Sequence, residues 1–408
     1  MNLEVKTSVG KYVRIAHISD IHLMEHTRLA LSVNALSEIA VDVRKRMVDF
    51  IVLTGDFSGR DAPHRLTNSE RVSFAGFVRA LSDVAPVIII RGNHDSLGEL
   101  RLFEKCRGEN PVSVFDHHKG ILHLLTSHNI GINFIAVPWM PMRTLGDDLT
   151  RLTVQDAIPI ATERIAEFIN EEIDKEEYNV VLMHGTVEGS AYSTNDGRFE
   201  ISSPRDIIFP RNWFLQFPDV DYFALGHLHV RQQVLPNVWY AGSPYPVDYS
   251  EKIPKGYLIV DIEKGSEPRV REVDIDSWQM LTVEGEWHAE STGDEGVWKI
   301  HPLKGLGRKE LDNTYVKLRV LIPEHCDHTT IDFASIQSKI LMNGGFFSLD
   351  DVQIKRYRDR KEVSYDILLK ETIQEKIAHY CKEKEYSPET VNQLLQRLEE
   401  INEHRTAA

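Results

Sequence analysis

Cysteine is scarce in this chain: three in 408 residues, at positions 106, 326 and 381, with no C-x-x-C pair. That excludes a disulfide framework or a zinc ribbon and fits a reducing compartment. Long apolar runs are missing. The longest, such as residues 86–90, are far too short to span a bilayer. The first ten residues carry no apolar signal-peptide core. The expectation is a cytoplasmic protein (host cytoplasm if viral) with no membrane attachment. Positive charge is the minority, since 47 Lys and Arg against 62 Asp and Glu leave a net charge of −15. Nonspecific polyanion binders are normally basic, so contact with nucleic acid must run through local basic patches, bound cations or a partner. No G-x-x-x-x-G-K-[ST] occurs, which excludes a P-loop. What remains is ordinary for a globular chain with a core: 42% hydrophobic and 27% charged residues. The length suggests two or three domains.

The first two-thirds alternates two patterns. Short β-branched runs read as buried strands at 12–18, 50–53, 87–90, 133–137, 180–183, 222–225 and 257–260. Between them lie helical faces, one carrying Val33, Leu36, Ile39, Ala40, Val43 and Met47, another Phe74, Phe77, Val78 and Leu81, a third Ile165, Phe168, Ile169 and Ile173. This is a layered α/β architecture. The acidic run 167–178 reads as a solvated helix face.

Chemistry-bearing residues stand where strand-like runs end. Asp20-Ile21-His22, Gly55-Asp56, Gly92-Asn93-His94-Asp95, His184-Gly185 and Gly226-His227-Leu228-His229 each follow such a run. Loops at the carboxyl ends of strands gather at one edge of layered α/β folds, so the motifs are expected to converge. Carboxylate oxygen with imidazole nitrogen suits manganese, iron or zinc better than calcium. The glycines before Asp56, Asn93 and His227 allow tight turns.

In this order the motifs resemble those of the calcineurin-like metallophosphoesterases. The stretch Trp239-Tyr240-Ala241-Gly242-Ser243-Pro244-Tyr245-Pro246-Val247-Asp248-Tyr249, followed by Lys255-Gly256-Tyr257, is similar to the SbcD-type nucleases within that family. The resemblance implies a four-layer α/β/β/α sandwich of two mixed sheets, with a small α/β capping module and a C-terminal helix pair. It implies two divalent ions, Mn2+ first, with Mg2+ or Fe2+ as alternatives. Asp20, His22, Asp56 and His229 would hold one; Asp56, Asn93, His184 and His227 would hold the other. Two such ions about 4 Å apart acidify a water between them and clamp phosphoryl oxygens. His94 would be the acid at the leaving oxygen. The residues after Asp56 depart from the pattern, because the nearest histidine is His64. A second catalytic histidine, and roles for Glu25 or His26, stay open. Asp95 would orient His94 or cap the next helix. Arg91 would touch phosphate or be solvated.

Beyond residue 275 the composition shifts. The expected organisation is a phosphoesterase domain at 1–275, a linker and capping module at 276–364, and a helical partner-binding segment at 365–408. The strand around 353–360 places Arg356, Arg358 and Arg360 on one face, with Lys355 and Lys361 nearby, either as a charged edge or as a phosphate-contacting patch. Lys304, Arg308 and Lys309 pose the same choice. The C-terminal helices, near 366–384 and 388–403, carry apolar stripes. The resemblance implies that they dock on an SbcC-type ABC ATPase. The function expected is a DNA exonuclease, with endonuclease activity also open, working as a homodimer on double-stranded ends. The alternatives are a phosphatase or nucleotide phosphodiesterase on the same fold, and a non-catalytic DNA-end tether.

Overall fold

The computed structural model describes residues 12–25, 28–59, 64–117, 119–191, 207–251, 254–290, 297–300, 311–323, 333–357, 372–383 and 386–406. In chain order the strands are β1 (Val13–Ile18), β2 (Phe50–Leu53), β3 (Val87–Ile90), β4 (Val112–Phe115), β5 (Gly120–Leu125), β6 (Gly131–Val137), β7 (Tyr178–His184), β8 (Thr186–Val187) and β9 (Ile208–Phe209). They continue as β10 (Tyr222–Gly226), β11 (Gln232–Leu235), β12 (Val238–Tyr240), β13 (Lys255–Ile262), β14 (Arg269–Ile275), β15 (Gln279–Glu290), β16 (Val297–Ile300), β17 (Thr314–Pro323) and β18 (Phe346–Tyr357). The helices are α1 (Leu29–Lys45), α2 (Asn68–Ser82), α3 (Val154–Glu172), α4 (Phe333–Met342), α5 (Ile373–Glu383) and α6 (Pro388–Thr406).

One six-stranded sheet has the order β14-β13-β1-β2-β3-β4, parallel from β1 to β4 and antiparallel at β13 and β14. A second has the order β11-β12-β10-β7-β6-β5, parallel in its centre and antiparallel at both edges. Strand β2 shows why these runs are apolar throughout. Successive side chains point to opposite faces of a strand. Phe50 and Val52 meet Ile132, Phe134, Val180 and Leu182 of the second sheet, while Ile51 and Leu53 pack with Leu36, Ile39, Phe74 and Val78 of α1 and α2. On the far side, Val181 and Met183 pack with Ile165 and Ile169 of α3. Helices, sheet, sheet and helix therefore form four layers, with both faces of the central strands buried.

The helices follow their apolar stripes. Helix α2 opens with a capping box, in which Thr67 Oγ1 accepts from Glu70 N at 3.2 Å and the Glu70 carboxylate accepts from Thr67 N at 2.9 Å. Helix α1 stops before Met47, which was expected on its buried face. Met47 lies past the helix end with φ of 52° and is 59% exposed. One buried polar link ties the sheets together: His17 of β1 meets Tyr222 Oη of β10 at 3.0 Å and Thr54 Oγ1 at 3.1 Å. Burial holds His17 down to about 3, so it spans the core uncharged.

The backbone divides into two compact units. The first comprises Met1–Glu284, Pro302–Arg319 and Asp332–Gln353; the second comprises Gly285–His301, Val320–Ile331 and Ile354–Ala408. Strands β15 to β18 form a sheet in the order β16-β15-β17-β18. In the second unit, α5 and α6 lie against each other. Lys355 and Arg356 are exposed on β18, whereas Arg358, Arg360, Lys361, Lys304, Arg308 and Lys309 lie outside the described residues, as do His26 and His118. Among the described residues no helix is long and apolar enough to cross a membrane.

The ring of Phe74 stacks on Phe57 at 4.5 Å and meets Phe103 edge-on at 4.7 Å. Phe74→Ala should therefore destabilise the first unit by about 3–5 kcal/mol, read from its urea midpoint. A loss below about 1 kcal/mol would mean that the layer collapses around the cavity.

Candidate metal centre

The five strand ends meet. The loops after β1 and β2 run together through Asp20 N to Gly55 O (3.0 Å), His22 N to Asp56 O (3.0 Å) and Leu23 N to Phe57 O (2.8 Å). The loop after β10 joins them where His227 N donates to the Asp20 carboxylate at 3.0 Å. The turns are forced. Asp20, His22, Asp56 and His227 all take positive φ, from 48° to 104°, which costs about 1–3 kcal/mol per residue outside glycine. Gly55 itself has φ of 96°, and a Cβ there would stand 2.5 Å from His184 Nδ1. Gly92 serves differently, because its missing side chain leaves room for the Asp56 carboxylate.

All seven expected ligand side chains are brought together. Asp20, His22 and His229 place one donor atom each within 4.8 Å of one another, and so do Asp56, His184 and His227. Asp56 Oδ2 stands between the two groups, 3.2 Å from His184 Nε2 and 3.8 Å from His22 Nε2. Asn93 Oδ1 lies 2.9 Å from both His184 Nε2 and His227 Nδ1. His94 sits at the rim, with Nε2 3.9 Å from Asp56 Oδ2 and its side chain 23% exposed.

The outer hydrogen bonds decide which atoms face inward. His22 Nδ1 is 3.1 Å from Ser58 O, and His229 Nδ1 is 2.7 Å from Glu251 Oε1. With both Nδ1 protons donated outward, two Nε2 lone pairs confront each other at 2.9 Å. His184 Nδ1 is likewise taken by Thr54 O at 2.7 Å, so its Nε2 faces Asn93 and Asp56 oxygens. Acceptors facing acceptors require positive charge between them, either a proton or a cation. The residues of each group therefore fit a divalent ion, with Asp56 Oδ2 near both groups and outer partners orienting the side chains.

Burial works against charge on His184, yet Asp56 raises it to about 9. Burial also opposes ionisation of Asp56, but His184 and His94 hold it well below its usual range. Burial, reinforced by His184, keeps His227 near 3. In the other group, burial and His229 push His22 well below its usual range, while Glu251 outweighs burial and raises His229. Each group thus holds one histidine raised and one lowered.

Several supports escaped the sequence reading. Asp95 neither orients His94 nor caps a helix. Its carboxylate accepts from the backbone N–H groups of Asp56, Phe57, Ser58 and Gly92 at 2.8–3.2 Å, locking the Asp56 turn. Arg91 is buried and donates to the carbonyls of Asp116 and Trp139, so it is neither solvated nor open to phosphate. Glu251 and Lys255 back His229; their only signal was a Glu and a Lys at i,i+4 beside the Gly-Ser-Pro stretch. Glu25 is engaged with Ser69 and Glu70 of α2. The backbone N–H of His64 bonds His94 O at 3.1 Å, while the residue itself is exposed.

The raised His184 has a signed consequence. Its stabilisation of the metal-free protein is complete below 6.5 and is lost as pH rises through about 9. Urea midpoints of chelator-treated protein should fall across that window, and those of His184→Gln should fall less. Parallel profiles for the two proteins would refute the ion pair.

The family model for the calcineurin-like phosphoesterases matches residues 13–231. The chain is similar to the SbcD component of the SbcCD nuclease from Staphylococcus saprophyticus, with 28% identity over 62% of this chain and 66% of the relative. It is also similar to the SbcD component from Bacillus subtilis, with 22% identity over 86% of this chain and 88% of the relative. It thus spans just under two thirds of the staphylococcal protein's length. Among solved structures, a dimetal phosphatase from Danio rerio aligns at 12% identity and a TM-score of 0.36, covering 63% of this chain and 98% of that one. With more than half of its length matched by the family model, the chain belongs to the calcineurin-like phosphoesterase family.

Proposed function

We propose that this chain is a two-metal phosphodiesterase acting on DNA, the nuclease component of an SbcCD-like complex. The observation that carries the reading is the Asp56 carboxylate shared between two groups of inward-facing acceptors. The ligands are Asp20, His22, Asp56 and His229 for one ion, and Asp56, Asn93, His184 and His227 for the other. Mn2+ is the preferred ion on the mixed oxygen and nitrogen donor set. When bound, the ions supply charge neutralisation for the phosphodiester and an acidified water. The chain's own part is positional. His94 lies at the mouth, within reach of Asp56, and protonates the leaving oxygen. The outer carbonyls of Ser58 and Thr54 keep His22 and His184 in one tautomer through the reaction.

The similarity to the SbcD relatives supports DNA as substrate and an SbcC-type ATPase as partner. We assign residues 1–275 to the phosphoesterase domain, 276–364 to a linker and DNA-contacting module, and 365–408 to partner docking. Leu394 of α6 is 45% exposed, which suits a helix awaiting a partner's apolar face. A homodimer in the cytoplasm completes the reading.

Mn2+-dependent release of nucleotides from linear duplex DNA tests the substrate. Hydrolysis of small phosphomonoesters instead would make the chain a phosphatase, and binding of ends without cleavage would make it a tether. His94→Ala should retain both ions by metal analysis yet cleave about 10²–10⁴-fold more slowly. Undiminished cleavage would remove His94 from the mechanism. A chain ending at residue 365 should keep its metal content and fail to co-purify with the ATPase; retained co-purification would place the docking surface elsewhere.

A further inference from the structure

The histidines of the centre are not supported alike. The outer nitrogens of His22 and His184 rest on main-chain carbonyls, those of Ser58 and Thr54. Such partners are built into the backbone and survive any side-chain change. His229 leans instead on a side chain, the carboxylate of Glu251, at 2.7 Å. His229 lies beyond the end of β10, outside any strand, and its side chain is 23% exposed.

The Glu251 side chain is completely buried. One oxygen meets His229. The other meets Lys255 Nζ at 2.6 Å, Val247 N at 3.2 Å and Ser243 Oγ at 3.3 Å. Lys255 Nζ donates in turn to Ser243 Oγ at 2.8 Å and to the carbonyl of His229 at 2.7 Å. The pair therefore grips His229 twice, at its ring and at its backbone. A buried ion pair contributes little net stability compared with apolar side chains of the same volume. Packing alone thus gives no reason for a Glu and a Lys at this place, whereas fixing a metal-ligand ring does.

We propose that Glu251, held by Lys255, is the positioning residue of the cation site formed by Asp20, His22 and His229. It keeps the His229 ring in the Nδ1–H tautomer and in the plane that aims Nε2 at His22. Glu251 commits its two oxygens to His229, Lys255, Val247 and Ser243, whereas at the neighbouring site of Asp56, Asn93, His184 and His227 the Asp56 turn is held by Asp95 and the His184 ring by the Thr54 carbonyl. The two sites then differ in what sustains them, and one can be emptied separately. The inference rests on the two-cation reading above.

The test is a Mn2+ titration of the full-length protein, followed by calorimetry and by the electron paramagnetic resonance of the bound ions. Wild type should take two ions and show a spin-coupled pair. Glu251→Gln should bind one ion with unchanged affinity and the other about 10–100-fold more weakly. At intermediate Mn2+ it should give an uncoupled single-ion signal, and the pair should return at higher Mn2+. Glu251→Gln with Lys255→Met removes both charges, so it covers the case in which a lone buried lysine unfolds the protein, and it should show the same selective loss. Asp261→Asn removes a buried carboxylate of β13 that pairs with Arg14, and should leave both affinities intact. Unchanged titration of the Glu251 variants overturns the proposal. So does equal weakening of both sites, the mark of general loosening. A wild type that takes no ion pair overturns the two-cation reading itself, a result separate from either outcome.

Discussion

Two imidazole nitrogens held 2.9 Å apart, with both rings already committed on their outer sides, form an arrangement that only positive charge can stabilise. The facing of His184 Nε2 by two oxygens repeats it a few ångströms away. Much else at the rim follows from sustaining this mutual repulsion. The carbonyls of Ser58 and Thr54 and the Glu251 carboxylate keep the donors from rotating away. The neighbouring carboxylates of Asp56 and Glu251 raise His184 and His229 against burial, while burial holds His227 and His22 down.

The backbone bears the other part of that burden. Four residues other than glycine hold left-handed conformations at the centre, at about 1–3 kcal/mol each. They persist because the surroundings leave no alternative. Asp95 collects four amides of the adjoining turns, and the Asp20 carboxylate collects the amide of His227. Glycine appears where a side chain would collide, at Gly55 against His184 and at Gly92 against Asp56. The local strain is thus offset by hydrogen bonds that tie one loop to another.

The convergence of the five motifs was legible because each follows an apolar run; which of their side chains would hold ions came from the family resemblance and not from position. The central strands were legible because burial on both faces leaves a continuous apolar run, and the structure mainly lengthened them, as at β7 and β13; β4, β5, β11, β12 and β14, which are partly exposed, left no such run and were not read from the sequence. Met47 was misplaced because helical spacing continues in the sequence after the backbone has left the helix. Asp95 and Arg91 were misread for a common reason. Their partners are main-chain groups, most of them on distant loops, and a main-chain group leaves no mark in the amino-acid pattern. Glu251 was hidden likewise, since its partner His229 lies 22 residues away and no periodicity connects them.

Ownership of the donors is divided. Asp20, His22, Asp56 and Asn93 hang from the sheet that contains β1 to β4, and His184, His227 and His229 from the sheet that contains β7 and β10. Each group draws on both. A bound ion would act as a rivet through the sandwich, drawing the layers together at the edge where loops alone connect them. Neither half can therefore hold an ion pocket by itself. A nascent chain released only as far as residue 183 would carry four of the seven donors and no complete coordination shell.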